Sequence, residues 1–282
     1  MLKPLTDYLL ISDIDGTLVN TNKEVPQRNI DAIRRYQELG GRFTIATGRS
    51  PLSAVRIARK VGVNCPLVTN NGSILYDMEK GEVVRQRYLP DRFAEIVRRA
   101  AADFPHIGIQ AYLDADIHMV VHNPVVEYQV AVEKVPFIES SLQRLPPRAN
   151  KLLFGGSHEE LTELMAALEG YGLQGMYGLF TEDCYYELLP QGVNKGSGAQ
   201  VLAGYCGVTG GHVAAVGDYY NDVEMLKSVP LPAVAANAPD DVKQYAAYVA
   251  CHCDEGAVAD VLERLEKWAV GKIPVFGNVN KE

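Results

Sequence analysis

The stretch "LLISDIDGTLVNTN", residues 9–22, decides how the rest of the chain is read. A short apolar run, Tyr8 to Ser12, has the length of a buried strand. It ends on two acids, Asp13 and Asp15, one residue apart, with Gly16 and Thr17 following at once. Carboxylates rarely sit at the end of a buried element unless they are paired or used, so the pair needs a partner or a chemical task.

The surrounding sequence supplies the setting. "QRNIDAIRRYQELGG" puts Ile30, Ile33 and Leu39 near one helical face and closes on glycines. "RFTIATG" reads as the next strand. In "SPLSAVRIARKVG" Ser50 is the N-cap, Pro51 the first helical residue and Gly62 the stop. "CPLVTNNG" reads as a third strand, with Asn70 and Asn71 suited to a turn before a hairpin or to lining a site. Strand-helix-strand-helix-strand predicts a parallel sheet with right-handed crossovers. The alternation returns late in the chain: a helix in "NKGSGAQVLAGYCG", then "HVAAVGD", "NDVEMLKS", "LPAVAA", "PDDVKQYA", "AAYVA" and the closing helix "EGAVADVLERLEKWAV".

Between these halves the texture changes. "VVRQRYL", "HIGIQAYL" and "IHMVVHN" read as paired strands, as do "NKLLFGG" and "CYYELLP". "DRFAEIVRRAAADF" and "HEELTELMAALEG" read as amphipathic helices. The expected fold class is therefore α/β, a Rossmann-like parallel sheet core with an inserted α+β unit. The core takes residues 1–84 and 189–282 and the insert residues 85–188. The tail "GKIPVFGNVNKE" is expected to be irregular.

In an open parallel sheet, ligands bind beyond the carboxyl ends of the strands. Asp13 and Asp15 follow the first strand, and Thr47, Gly48 and Arg49 the second. Asp218, Asn221 and Asp222, in "GDYYND", follow a late strand, and Lys195 opens a late helix in "GVNKG". Four carboxylates at one edge repel, and a hard divalent ion with oxygen ligands relieves them. Mg²⁺ also lets an anionic nucleophile approach a phosphate. One carboxylate can attack phosphorus while the second moves the proton, and Thr47 and Lys195 can hold the phosphoryl oxygens.

"DIDGT", "TGR", "GVNKG" and "GDYYND" resemble, in order, the four motifs of the haloacid dehalogenase superfamily of phosphatases. The insert between the second and third resembles the type C2B cap of its Cof-like branch, as do "TNNGSILYD", "NAPDDVK" and "DEGAVADVL". The resemblance implies Asp13 as nucleophile and Asp15 as general acid/base. It implies a Mg²⁺ site from Asp13, Asp218 and the backbone carbonyl of Asp15. Thr47 and Lys195 bind the phosphoryl group, with Gly48, Arg49 and Asn221 beside it, and Asp222 supports Lys195 or the metal's water shell. An acid at position 15 implies phosphatase rather than dehalogenase chemistry. The implied substrates are small phosphomonoesters, sugar phosphates first and nucleotide or cofactor phosphates next. A sugar phosphomutase on the same scaffold and a non-catalytic phosphometabolite sensor are the alternatives.

Each residue also has a plainer reading. Asp13 and Asp15 suit turns, Arg49 a surface position, Lys195 a solvated one, and Asp222 a helix cap. "CHC" at 251–253 invites a metal reading, but structural zinc sites separate their ligand pairs. His118 and His122 lie in a strand-like stretch without a helix's i, i+4 geometry. Tyr185 and Tyr186 read as strand residues at the cap–core junction.

The totals agree with this picture. The chain has 282 residues, 47% hydrophobic and 22% charged, enough for a substantial core in one or two domains. Its 35 acidic and 27 basic residues leave a net charge of −8, which argues against a nucleic-acid partner. No apolar run approaches membrane-spanning length, so no membrane partner is expected. The five cysteines follow no disulfide framework. The expected setting is cytoplasmic, as a monomer or homodimer.

Overall fold

The computed structural model describes residues 5–208 and 210–269; the C-terminal segment expected to be irregular lies outside them. The first alternation forms as expected, with β1 (Leu9–Ser12), α1 (Gln27–Glu38), β2 (Arg42–Ile45), α2 (Pro51–Val61) and β3 (Leu67–Thr69). Ser50 accepts the backbone N–H of Ser53 at the start of α2, and Gly62 ends it in a left-handed conformation. β4 (Ile74–Asp77) and β5 (Glu82–Gln86) follow.

The middle of the chain contributes α3 (Phe93–Asp103), β6 (Gly108–Leu113), β7 (Asp116–Val121), α4 (Pro124–Glu133) and β8 (Ile138–Glu139). It continues with β9 (Lys151–Gly155), α5 (His158–Tyr171), β10 (Met176–Glu182) and β11 (Tyr185–Pro190). The last part holds α6 (Lys195–Tyr205), β12 (Val213–Gly217), α7 (Val223–Ser228), β13 (Leu231–Val234), α8 (Asp240–Lys243), β14 (Tyr248–Val249) and α9 (Ala257–Ala269).

Among the described residues the strands form three sheets. The parallel sheet has the order β14-β13-β12-β1-β2, with β1 in register between β12 and β2. Side chains alternate across it. Leu10 packs with Phe43, Ile45, Ile33 and Leu262 on one side, while Leu9 and Ile11 pack with Leu202 and Met225 on the other. Helices therefore cover both faces, which is why these strands read as continuous apolar runs.

Two details differ from the sequence expectation. β3 continues the parallel sheet only through the Ala46–Val68 bridge, and otherwise pairs antiparallel in a sheet of order β3-β4-β5. The "VVRQRYL" strand belongs to this small sheet as β5, because the turn Asp77–Gly81 folds it back onto β4. The six-stranded sheet has the order β10-β11-β9-β6-β7-β8. One of its faces packs on α3 and α5. The other carries Tyr112, Ile117, Met119 and Leu153 against Val126 and Val130 of α4, with Leu52 of α2 reaching in from the core.

The helix α4 was not expected. "PVVEYQVAVE" is rich in β-branched residues, which favour strands, yet its ends override its interior. Asn123 accepts the backbone N–H groups of Val125 and Val126, Pro124 occupies the first turn, and Lys134 closes the helix with φ of 53°. No helix among the described residues is long and apolar enough to cross a membrane.

Candidate active site

The carboxyl ends of β1, β2 and β12 lie side by side, and the motif residues meet there. Asp13 continues β1, its N–H donating to Val216 O at 2.9 Å, and is 5% exposed. Gly16 turns the chain away with φ of 74°. A Cβ there would lie 2.2 Å from Asp218 Oδ2, so the close approach of the two loops requires glycine. The Thr17 hydroxyl donates to Asp218 Oδ1 at 2.7 Å. Asn237 donates to both Gly16 O and Asp218 Oδ2, tying the loops together from behind.

Lys195 is the first residue of α6, capped by Asn194 and Ser197 in a reciprocal box. A cation at a helix N-terminus opposes the helix dipole, and this one is 1% exposed. Its Nζ donates to Asp13 Oδ1 and to Asp222 Oδ1, both at 2.7 Å, and the two carboxylates outweigh that cost. Asp222 is fully buried, and its other oxygen accepts the N–H groups of Asp218 and Tyr219. Asp222 thus fixes both Lys195 and the backbone that presents Asp218.

Asp15 faces the cavity from the other side. Arg49 grips it with two hydrogen bonds, Nε to Oδ2 at 2.8 Å and Nη2 to Oδ1 at 2.7 Å, and Lys23 adds a third at 3.1 Å. Arg49 is no surface residue: its side chain is 15% exposed. Burial works to raise the Asp15 carboxyl, but Arg49 and Lys23 prevail and hold it down at about 2. Thr47 is buried at the end of β2, its hydroxyl accepting the N–H of Arg49. Asn221 donates to Asn71 Oδ1 at 3.3 Å.

Sequence reasoning missed the far side of the site. Lys151 of β9, 1% exposed, donates to Glu187 of β11 at 2.6 Å and to the carbonyl of Gly48 at 2.8 Å. It lies 4.4 Å from the centre of the Tyr112 ring. Glu187 accepts Asn71 Nδ2 at 2.7 Å. The six-stranded sheet is therefore keyed into the Thr47–Arg49 loop by a buried ion pair. In the sequence these two residues are ordinary members of "NKLLFGG" and "CYYELLP"; the one usable signal is a charge in an otherwise apolar strand. Asn71, with φ of 52°, is buried behind the site and braces two residues that line it, Glu187 and Asn221. Between the two sheets lies a cavity of about 590 Å³ that Asp13, Asp15, Arg49 and Asp218 share with Lys151 and Glu187.

The donor set fits a hard divalent ion. Carboxylate oxygens of Asp13, Asp218 and Asp222 lie within 4.8 Å of one another, and one cation, Lys195, serves two of them. Burial raises Asp13 well above the carboxylate range, with Asp222, Asp218 and Asp15 adding to it against Lys195. Burial and Asp222 push Asp218 up to about 7. Such a surplus of buried negative charge is what a divalent cation neutralises. Asp222 is already committed to Lys195 and two N–H groups, and the Asp15 side chain to Arg49 and Lys23. Asp13 and Asp218 are left as the side chains that could hold an ion.

The other sequence candidates fall elsewhere. His118 lies in β7, and His122 lies after it, bonded to Glu127 and Glu139. His252, Cys253 and Asp254 bring donor atoms within 4.8 Å of one another, but from a single tight turn.

A family model for haloacid dehalogenase-like hydrolases matches residues 10–262. An HMP-PP phosphatase of Serratia proteamaculans is 30% identical over 257 residues, covering 89% of this chain and 92% of that protein. One of Yersinia enterocolitica is 31% identical over 255 residues, with the same coverage. The crystal structure of a haloacid dehalogenase-like hydrolase from Bacteroides thetaiotaomicron, 28% identical, superposes with a TM-score of 0.82 over 92% of this chain and 99% of that one. The ordered motifs, the site they build and these likenesses agree: the chain belongs to the haloacid dehalogenase-like hydrolase family, as one of its phosphatases.

Proposed function

We propose that the chain hydrolyses small phosphomonoesters through a phosphoryl-aspartate on Asp13, with Mg²⁺ held by Asp13, Asp218 and the Asp15 carbonyl. The observation that carries this reading is the Lys195 clamp. It fixes one oxygen of Asp13 between Lys195 and the cavity and leaves the other to attack. Bound Mg²⁺ would screen the phosphate's charge from the carboxylate nucleophile.

Asp13 attacks phosphorus and the ester P–O bond breaks. Asp15, ionised in the free site, takes up a proton from solvent as the substrate's phosphate draws Arg49 away, gives it to the departing oxygen, then takes one from the water that attacks the phosphoryl group and releases phosphate from Asp13. Arg49 and Lys23 hold Asp15 charged. A phosphate dianion brought beside Arg49 competes for the guanidinium and raises the affinity of Asp15 for a proton. Thr47 and Lys195 bind the phosphoryl oxygens, with Gly48, Arg49 and Asn221 alongside, and Asp222 keeps Lys195 in place.

Residues 85–188 act in this reading as a cap that shields the reaction from water. β5 is paired with β4 and β11 with β9, so any hinge falls in the connections that follow these strands, residues 87–92 and 191–194. The buried Lys151–Gly48 contact supports a cap seated directly on the phosphate loop. Sugar phosphates are the substrates we propose first. HMP-PP joins them because relatives are named for it. The free cysteines suit a reducing, cytoplasmic setting.

The test is phosphate release from sugar, nucleotide and cofactor phosphates and HMP-PP, with Mg²⁺, with EDTA and with Asp13→Asn. Release that needs both Asp13 and the ion is expected. A folded protein that releases phosphate from none of them overturns the proposal, and an isomerised phosphosugar without free phosphate would assign the mutase reaction instead.

A further inference from the structure

The wall of the cavity opposite the motif loops is acidic, and its charges are not used up by ion pairs. Glu133 ends α4, Glu182 ends β10, and Asp183 opens the turn into β11; all three line the cavity. Among the described residues none of them lies within ion-pair distance of a lysine or arginine, whereas Asp15, Glu187, Asp13 and Asp222 all do. The cations that act on Glu182 and Glu133 at longer range are Lys23, Arg49 and Lys151. Lys23 and Arg49 are engaged by Asp15, and Lys151 by Glu187.

Glu133 Oε1 accepts a hydrogen bond from Gln129 at 2.8 Å, and the Ser53 hydroxyl acts on the same carboxylate. Both partners are neutral, so the charge that Glu133 brings to the cavity wall is left uncompensated at close range. Burial raises both Glu133 and Glu182, Asp15 adds to each, and Glu133 adds to Glu182 across the cavity that both line. Aromatic rings complete the wall: Tyr128, 68% exposed on α4, Tyr185 of β11, and Tyr219 from the core loop. Carboxylates interleaved with aromatic faces form a surface complementary to a cation or an amine.

We propose that this wall selects phosphomonoesters whose leaving group carries an amine or another cationic, hydrogen-bond-donating group, and disfavours leaving groups that carry a second anion. The inference rests on the phosphatase reading and specifies the leaving group for that same cavity. The phosphate end, with Arg49, Lys23 and Lys195, receives the anion. The cap end receives the positive or donor-bearing end. A substrate with charge at both ends is oriented by the field between them.

The test uses matched esters that differ by one group. kcat/KM is measured for glucosamine 6-phosphate, glucose 6-phosphate and 6-phosphogluconate, and for phosphoethanolamine against 2-hydroxyethyl phosphate. We expect the amine member of at least one pair to be favoured about tenfold or more over its hydroxyl partner, and the carboxylate ester to rank below glucose 6-phosphate. Glu182→Gln and Glu133→Gln should each lower the amine-to-hydroxyl ratio severalfold. Glu139→Gln, at an acid bonded to His122 outside the cavity, should leave the ratio unchanged. If Glu133→Gln does not fold, Glu182→Gln decides alone. Efficient turnover of the neutral esters with no amine preference in either pair overturns this inference and leaves the phosphatase reading intact. So does a preference that both variants retain. A folded, Mg²⁺-loaded protein that hydrolyses none of the five esters, or any member of the wider panel, overturns both.

Discussion

The two sides of the cavity are built differently. On the core side the charged groups are held in place: Lys195 between Asp13 and Asp222, Asp15 between Arg49 and Lys23, and Asp218 by Thr17 and Asn237. On the cap side one pair, Lys151 with Glu187, is equally buried, but Glu133, Glu182 and Asp183 are left for something else to meet. The core side is preorganised around a group that is always the same, a phosphate. The cap side is anchored at one point and open elsewhere, as a surface must be if it reads a group that varies. On the proposed reading, chemistry and selection fall to different sheets.

The largest effect that would test this division lies at Asp13. Asp13→Asn should lower kcat at least about a thousandfold, since the nucleophile is lost. The same change removes one charge from a cluster of buried carboxylates and leaves Lys195 its partner Asp222. Thermal melting should therefore show no loss of stability, and without divalent ion a gain. A destabilised Asp13→Asn would mean that the Lys195–Asp13 contact holds the fold, and the core side would lose its purely chemical character.

On the cap side the matching experiment is Lys151→Met. It leaves Glu187 buried without its cation, and breaking such a pair costs about 3–5 kcal/mol. Denaturant unfolding followed through the cap should show this. Adding Glu187→Leu should recover most of the loss, because an apolar pair of similar volume avoids the desolvation cost. Recovery of stability without recovery of activity would show that the pair registers the cap on Gly48 rather than merely stabilising it.

Arg49→Lys probes the core side more finely. It keeps the charge but loses the two-pronged grip on Asp15. A fall of about tenfold in kcat is expected, within the range that a positioned acid/base contributes, with substrate KM changed less. An equal fall in affinity would mean that the hold of Arg49 on the phosphate outweighs its hold on Asp15.

The same division governs what was legible in the sequence. Asp13, Asp15, Thr47, Lys195, Asp218 and Asp222 stand at element ends, where a polar residue interrupts an apolar run, and strand order alone brings them to one edge. The parallel sheet was legible for the same reason, apart from the fate of β3, where one bridge to Ala46 competes with a full antiparallel ladder. The cap face was not legible. Its cavity-facing helix α4 is disguised by Val125, Val126, Val130 and Val132, whose strand preference hid the Asn123–Pro124 start signal. Lys151 and Glu187 meet across β9 and β11, and no local pattern states which charge pairs with which over 36 residues.

The smallest effect expected is on the cap's outer edge, and it sets the scale for the buried pairs. Hydrogen bonds that the His122 ring donates to Glu139 and Glu127 raise it above its ordinary value near 6.5. A histidine raised on folding contributes stability that is fully present below its unfolded pKa and is lost as the pH rises through its folded one. The contribution should thus be complete below about pH 6.5 and disappear just above it. With its side chain 42% exposed, solvent screening should hold it below about 0.5 kcal/mol. His122→Gln should flatten that part of the stability–pH curve by this amount and leave the Lys151→Met loss unchanged. If His122→Gln costs as much as Lys151→Met, the cap's stability resides at its exposed edge, and the buried pair at the cavity serves placement alone.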